Sequence, residues 1–185
     1  MLSVIIATLN SERALVPTLA ALVPGAMAGV VSEVLVADGG SRDDTVAVAE
    51  VAGCNVMSLE RPLAPRLKAA AGAARAPWLM FLRPGTVLYP PWTDEAQRFV
   101  EQASPETVAV FRRGARAKAG LREALTQFAA ALGARPRPEQ GLLIGKAFYT
   151  GLGGHADAAA EPETDLVRRI GRRRIVRLPS LAYGA

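Results

Sequence analysis

Cysteine occurs once in the 185 residues, at Cys54, which excludes an internal disulfide framework and any cysteine-rich metal site. No apolar run reaches the roughly eighteen residues that a membrane-spanning helix needs. The nearest stretch, Ala14 to Val31, is interrupted by Pro17 and Pro24 and contains Gly25 and Gly29. It reads as a helix followed by a loop. No basic segment precedes the apolar run at Leu2, so no secretory leader is expected. Internal repeats and low-complexity linkers are absent. Aromatic residues make up 5% of the chain and do not interleave its basic clusters, so a nucleic-acid partner is not expected.

What is present is globular. Half the residues are apolar and 21% are charged, enough for one domain with a sizeable core. The net charge of +5 comes mostly from arginine. One cluster is Arg112, Arg113, Arg116 and Lys118; another is Arg168, Arg169, Arg172, Arg173 and Arg174. Such charge either meets phosphate or an anionic membrane surface, or is a solvated face.

The most informative stretch is Glu33 to Thr45. An apolar run of strand length ends in Asp38, Gly39-Gly40 make a turn, and a helix start follows. Ser41 and Asp44 have capping-box spacing, and Asp43 and Asp44 stand where a helix dipole favours negative charge. An acid at the carboxyl end of a strand either binds a ligand at the sheet rim or satisfies the donors of its own turn. The N-terminus repeats the pattern, with the strand Ser3–Ala7 running into Thr8, Asn10 and a helix from Glu12.

Further strands are expected at Asn55–Leu59, Trp78–Leu82 and Val108–Phe111. Helices are expected near Glu12–Leu22, Asp43–Ala52, Pro65–Ala74, Thr93–Gln102 and Leu121–Leu132. An extended connector at Arg135–Pro138 leads to an apolar run at Gly141–Ile144, a short helix from Lys146 and a glycine-rich turn at Gly151–Gly154. A helix near Glu163–Ile170 and a strand at Arg174–Leu178 close the chain. The alternation predicts one three-layer α/β domain with a mostly parallel sheet. Its βα half would span 1–111 and the remainder of the domain 112–185. Trp78 and Trp92 are expected to pack in or beside the core.

Together, Ser3-Val4-Ile5-Ile6, Thr8, Asn10, Asp38, Gly40, Ser41, Asp43 or Asp44, and Thr45 resemble the opening motifs of the family-2 glycosyltransferases, which have the GT-A fold. The Asp-Gly-Gly-Ser form at Asp38–Ser41 is most similar to a compact bacterial subgroup. The likeness continues through Glu139–Ile144, Phe148–Gly154 and Glu163–Ile170, and so runs almost the full length. It implies transfer of a sugar from a nucleotide-diphosphate donor, with Thr8, Asn10, Asp38 and Gly39 at the nucleotide. Arg66 and Lys68 would either face its phosphates or be solvated helix residues. Glu163 falls at the base position, with Asp165 or Glu161 as local alternatives; a helix N-terminal acid favoured by the dipole is the other reading of Glu163.

The family usually holds a divalent metal with an Asp-x-Asp motif after the fourth strand. Here Arg83 and Gly85 occupy both acidic positions, so no metal cofactor is expected. Either Arg83 itself neutralises the diphosphate, or catalysis is lost and a binding or scaffold protein remains, or Arg83 is a plain surface residue. A basic module docking to a membrane or to another enzyme is a third class of function. His155, without other ligand-type residues beside it, is read as a turn or acceptor-cleft residue. A cytoplasmic location, peripheral to the inner face of a membrane, is the expectation for compartment.

Overall fold

A computed structural model describes residues 1–114, 137 and 140–184. The chain order is β1 (Leu2–Thr8), α1 (Glu12–Met27), β2 (Val31–Asp38), α2 (Thr45–Val51), β3 (Asn55–Ser58), α3 (Leu63–Ala73), β4 (Trp78–Leu82), β5 (Val87–Leu88), α4 (Trp92–Gln102) and β6 (Val108–Arg113). Then follow β7 (Leu142–Gly145), α5 (Lys146–Gly151), α6 (Pro162–Ile170), a 3-10 turn (Arg172–Arg174) and β8 (Ile175–Tyr183). The helix expected at Leu121–Leu132, most of the Arg135–Pro138 connector, Arg116, Lys118 and Glu139 lie outside the described residues.

All the described strands join one sheet in the order β3-β2-β1-β4-β7-β6-β8-β5. The first four run parallel, as βα units demand. β7 runs antiparallel to both β4 and β6, so the second half is mixed rather than parallel. Side chains alternate across β1. Leu2, Val4 and Ile6 meet Leu15 and Leu22 of α1, Ala49 of α2 and Trp92 of α4. Ile5 faces the other layer, with Leu67 and Ala70 of α3, Tyr149 of α5 and Leu166 of α6. Strands covered on both faces must be apolar at nearly every position, which is why β1, β2 and β4 read as continuous runs.

Two polar pairs interrupt those runs. Ser3 is in register with Glu33, and Thr8 with Asp38. The Ser3 hydroxyl donates to Glu33 Oε1 at 2.6 Å, and Arg75 adds its backbone N–H at 2.6 Å and its Nε at 2.9 Å. Burial pushes the Glu33 carboxyl up, but the donors from Ser3 and Arg75 outweigh it and hold the pKa below its ordinary value.

Three expectations are corrected. Helix α1 does not stop at Leu22 but continues past Pro24 to Met27. Tertiary packing overrides the missing N–H there: the Trp92 ring lies where a Cβ on Gly25 would meet it at 2.5 Å, and the indole Nε1 donates to the Ala21 carbonyl at 3.2 Å. The Ser41–Asp44 capping box does not form, because α2 starts at Thr45 with no side-chain cap from Asp44. Asp43 instead accepts from the Thr45 N–H at 3.1 Å and the Glu12 N–H at 3.2 Å, joining the starts of α1 and α2. The last strand extends well beyond Leu178, around a register shift at Pro179 where Glu95 accepts the Ser180 N–H at 2.8 Å. Both tryptophans pack as expected: Trp92 is fully buried, and Trp78 meets Phe99 edge-on at 5.5 Å.

Candidate active site

The carboxyl ends of β1, β2 and β4 form one rim of the sheet. At its centre the buried Asp38 carboxylate accepts hydrogen bonds from four groups of the chain. Oδ1 takes the hydroxyls of Thr8 at 2.8 Å and Ser41 at 2.5 Å; Oδ2 takes the N–H groups of Gly40 at 2.9 Å and Ser41 at 2.8 Å. Burial alone would raise its pKa, but these donors hold it below the ordinary carboxylate range. A carboxylate has about four lone-pair sites, so the chain itself fills them. Asn10 stands beside this turn in left-handed conformation (φ 48°), its N–H donating to Ser41 Oγ and its Oδ1 accepting the Arg42 N–H, both at 2.8 Å.

Arg66 is neither solvated nor exposed to a phosphate. It is buried, and its Nη1 donates to the carbonyls of Thr8 at 2.6 Å and Ala37 at 3.0 Å, tying β1 to β2. Burial lowers its pKa and the Asp38 charge opposes that. Gly39 is required by this closeness, since a Cβ there would meet Arg66 Nη1 at 2.6 Å. Lys68, two residues on, is half-exposed and pairs with Asp157 at 2.9 Å.

The rim of β4 brings together two residues eighty positions apart in the chain. Arg83 follows β4, and Glu163 sits in the first turn of α6. Arg83 Nε lies 2.9 Å from Glu163 Oε2 and 3.1 Å from Oε1, and Nη2 also bonds Oε2. The carboxylate is the less accessible partner, with 15% of its side chain exposed against 44% for the arginine. Asp165 is held elsewhere: its two oxygens accept from Arg168 Nη2 and Arg169 Nε, both at 2.7 Å, which lowers its pKa. Glu161 is the residue preceding α6 and makes no side-chain cap.

Beside Glu163, a small hollow is lined by Phe81, Leu142, His155 and Val167. His155 is buried here rather than in an open turn. The Tyr149 hydroxyl accepts the His155 backbone N–H at 3.3 Å and lies 2.8 Å from Nδ1. One proton is shared between that hydroxyl and Nδ1, and the imidazole tautomer sets which of the two donates. Burial, followed by the nearby charges of Arg169 and Lys68, lowers the His155 pKa to about 4 from 6.5. A group depressed in the folded state is protonated first in the unfolded chain, so its stability contribution is full above 6.5 and is lost as pH falls toward about 4. The melting temperature is expected to drop across that window. His155→Phe should flatten the slope there in a differential scanning calorimetry series; an unchanged slope would place the titration elsewhere.

Sequence reasoning missed Tyr149, Arg169 and Asp157. Arg169 had one legible signal, its i,i+4 spacing from Asp165. It also donates to the carbonyls of Leu152 at 2.7 Å and Gly154 at 2.6 Å, fastening the glycine-rich turn.

The residues after β4, Arg83 and Gly85, supply no oxygen-bearing side chain for a divalent metal. Arg83 and Gly85 hold the two acidic positions, and among the described residues no group of three His, Cys, Asp or Glu side chains converges. No described helix is long and apolar enough to cross a membrane.

A parallel βα half joined to a mixed half gathers polar groups at the strand ends, the rim where open α/β sheets take their ligands. The family model for glycosyl transferase family 2 matches residues 3–159, and the chain belongs to that family. Its structure is similar to Staphylococcus aureus TarS 1-349 (17% identity, TM-score 0.74, all of this chain and 60% of that one). It is also similar to glucosyl-3-phosphoglycerate synthase from Mycobacterium tuberculosis in complex with Mn2+, UDP and glucosyl-3-phosphoglycerate (19% identity, TM-score 0.73, all of this chain and 72% of that one). TarS 1-349 has also been solved in complex with UDP-GlcNAc, with which this chain shares 18% identity at a TM-score of 0.71, covering all of this chain and 58% of that one. These likenesses establish the GT-A fold. The chain spans about three fifths of the TarS 1-349 structures. No curated protein matches the sequence.

Proposed function

We propose that this chain is a glycosyltransferase that moves a sugar from a nucleoside-diphosphate donor to an acceptor hydroxyl without a resident metal. The observation that carries the reading is the meeting of Arg83 and Glu163 at the end of β4. A guanidinium is a permanent cation with two-pronged geometry for phosphate oxygens. In the step, the acceptor O–H gives its proton to Glu163 as its oxygen bonds the anomeric carbon. The bond from that carbon to the diphosphate breaks, the electron pair leaves with the diphosphate, and Arg83 offsets the charge. Asp38, Thr8, Gly39, Asn10 and Arg66 shape the floor under the nucleotide, with Lys68 at its flank. Asp165 orients α6 through Arg168 and Arg169, and Glu163 is the base.

Turnover of a panel of UDP-, GDP- and dTDP-sugars, with and without EDTA, tests this. Activity is expected to survive the chelator. Loss in EDTA with recovery on adding Mn2+ would refute metal independence.

A second reading, a non-catalytic member that keeps the fold and weak nucleotide binding, is favoured by one observation: the two reacting groups already engage each other. Nucleotide binding without turnover of any donor would select it. The exposed Arg172, Arg173 and Arg174 before β8 support peripheral contact with anionic lipid on the cytoplasmic face, which vesicle co-sedimentation would test.

A further inference from the structure

We infer that Glu163 occupies Arg83 in the free protein as a stand-in for the donor diphosphate, so that binding the donor and releasing the base are one exchange. The inference rests on the reading of Arg83 as the diphosphate's counter-charge and adds what the carboxylate does before the donor arrives.

The geometry of the pair resembles what an arginine does with phosphate. One guanidinium edge faces one carboxylate, with Nε 2.9 and 3.1 Å from its two oxygens. While the contact stands, both Glu163 oxygens are hydrogen-bonded to the guanidinium, and an acceptor hydroxyl must compete with it for them. The arginine is the more accessible partner, so an incoming anion reaches it first. A diphosphate carries more negative charge and more acceptor oxygens than a carboxylate and outcompetes it for the same edge. Two anions cannot share that edge without repulsion, and the carboxylate must move off. It need not go far, because Glu163 already borders the hollow lined by Phe81, Leu142 and His155. The base is thus released beside a seated leaving group.

The exchange makes Glu163 a competitor of the ligand, which a simple base is not. Calorimetric titration with UDP and GDP tests it on the wild type, Glu163→Gln, Arg83→Ala and the double variant. Glu163→Gln is expected to bind the diphosphate about three- to tenfold more tightly, the scale of one partly exposed ion pair. Arg83→Ala is expected to bind more weakly. In the double variant the gain from Glu163→Gln should vanish. Uridine, which lacks the diphosphate, should bind wild type and Glu163→Gln alike. Glu163→Asp, one methylene shorter, should fall between wild type and Glu163→Gln, and thermal melts establish that each variant is folded. If Arg83→Ala weakens binding and Glu163→Gln leaves it unchanged, the exchange is overturned and the role of Arg83 stands. If Arg83→Ala binds as wild type does, the role of Arg83 falls and the exchange with it. Failure of the wild type to bind either nucleotide at millimolar concentration overturns both.

Discussion

Glu163→Gln is expected to lower turnover by about 10²–10⁴-fold on whichever donor and acceptor pair the panel identifies. The amide keeps the shape and the position at the first turn of α6 but cannot take a proton. Because it also stops competing for Arg83, KM for the donor should fall together with kcat. That combination separates the roles: a purely structural glutamate would change both little or lose the fold. Asp165→Asn is the internal control. Both oxygens of Asp165 are held by Arg168 and Arg169, so its loss should loosen α6 and lower stability more than it lowers the chemical step. A Glu163→Gln enzyme with wild-type kcat would move the base elsewhere.

Asp38→Ala is expected to destabilise the fold by about 2–5 kcal/mol. The variant strips a shared acceptor from Thr8, Gly40 and Ser41, and it leaves the buried Arg66 guanidinium without the carboxylate that supports its charge. For a chain of this size that is a fall of roughly 5–15 °C in melting temperature. Asp38→Asn keeps an acceptor oxygen but turns an NH₂ toward N–H and O–H donors, so it should cost an intermediate amount. UDP binding should weaken with the collapse of the rim, by about 1–3 kcal/mol. Guanidinium unfolding curves check the first number; a loss below about 1 kcal/mol would show that the turn holds its shape without the acid.

The parallel half of the sheet was legible because each strand is covered on both faces and reads as an apolar run, punctuated by Gly39-Gly40 or by Pro77. The direction of β7 was not, since four apolar residues look alike in either orientation. β5 has two residues and pairs with β8, too short for any periodicity to register. The continuation of α1 past Pro24 depended on Trp92, seventy positions downstream of Leu22. At the site, the rim acids and the missing acids at Arg83 and Gly85 were visible as residue types. Their partnerships were not. Arg66 and Lys68 are two positions apart on one helix, yet the first is buried on strand carbonyls and the second pairs at the surface, a distinction made by α3 packing on the sheet. Glu163 was singled out from one end of the chain and Arg83 from the middle; only the layering of α6 beside β4 joins them.

The pairs Ser3–Glu33 and Thr8–Asp38 act as two index marks on adjacent strands. They share one offset along the chain, and because Thr8 lies five positions after Ser3 they point to opposite faces of the sheet, about 17 Å apart. The aliphatic stretch between them, Val4-Ile5-Ile6 against Val34-Leu35-Val36, would tolerate a slide of two residues, which keeps every side chain on its face. The marks would not, because such a slide sets Glu33 beside Ile5 and carries Asp38 past the end of β1. The alignment of the rim is therefore gauged from the opposite end of the strands, by the glutamate that meets Ser3.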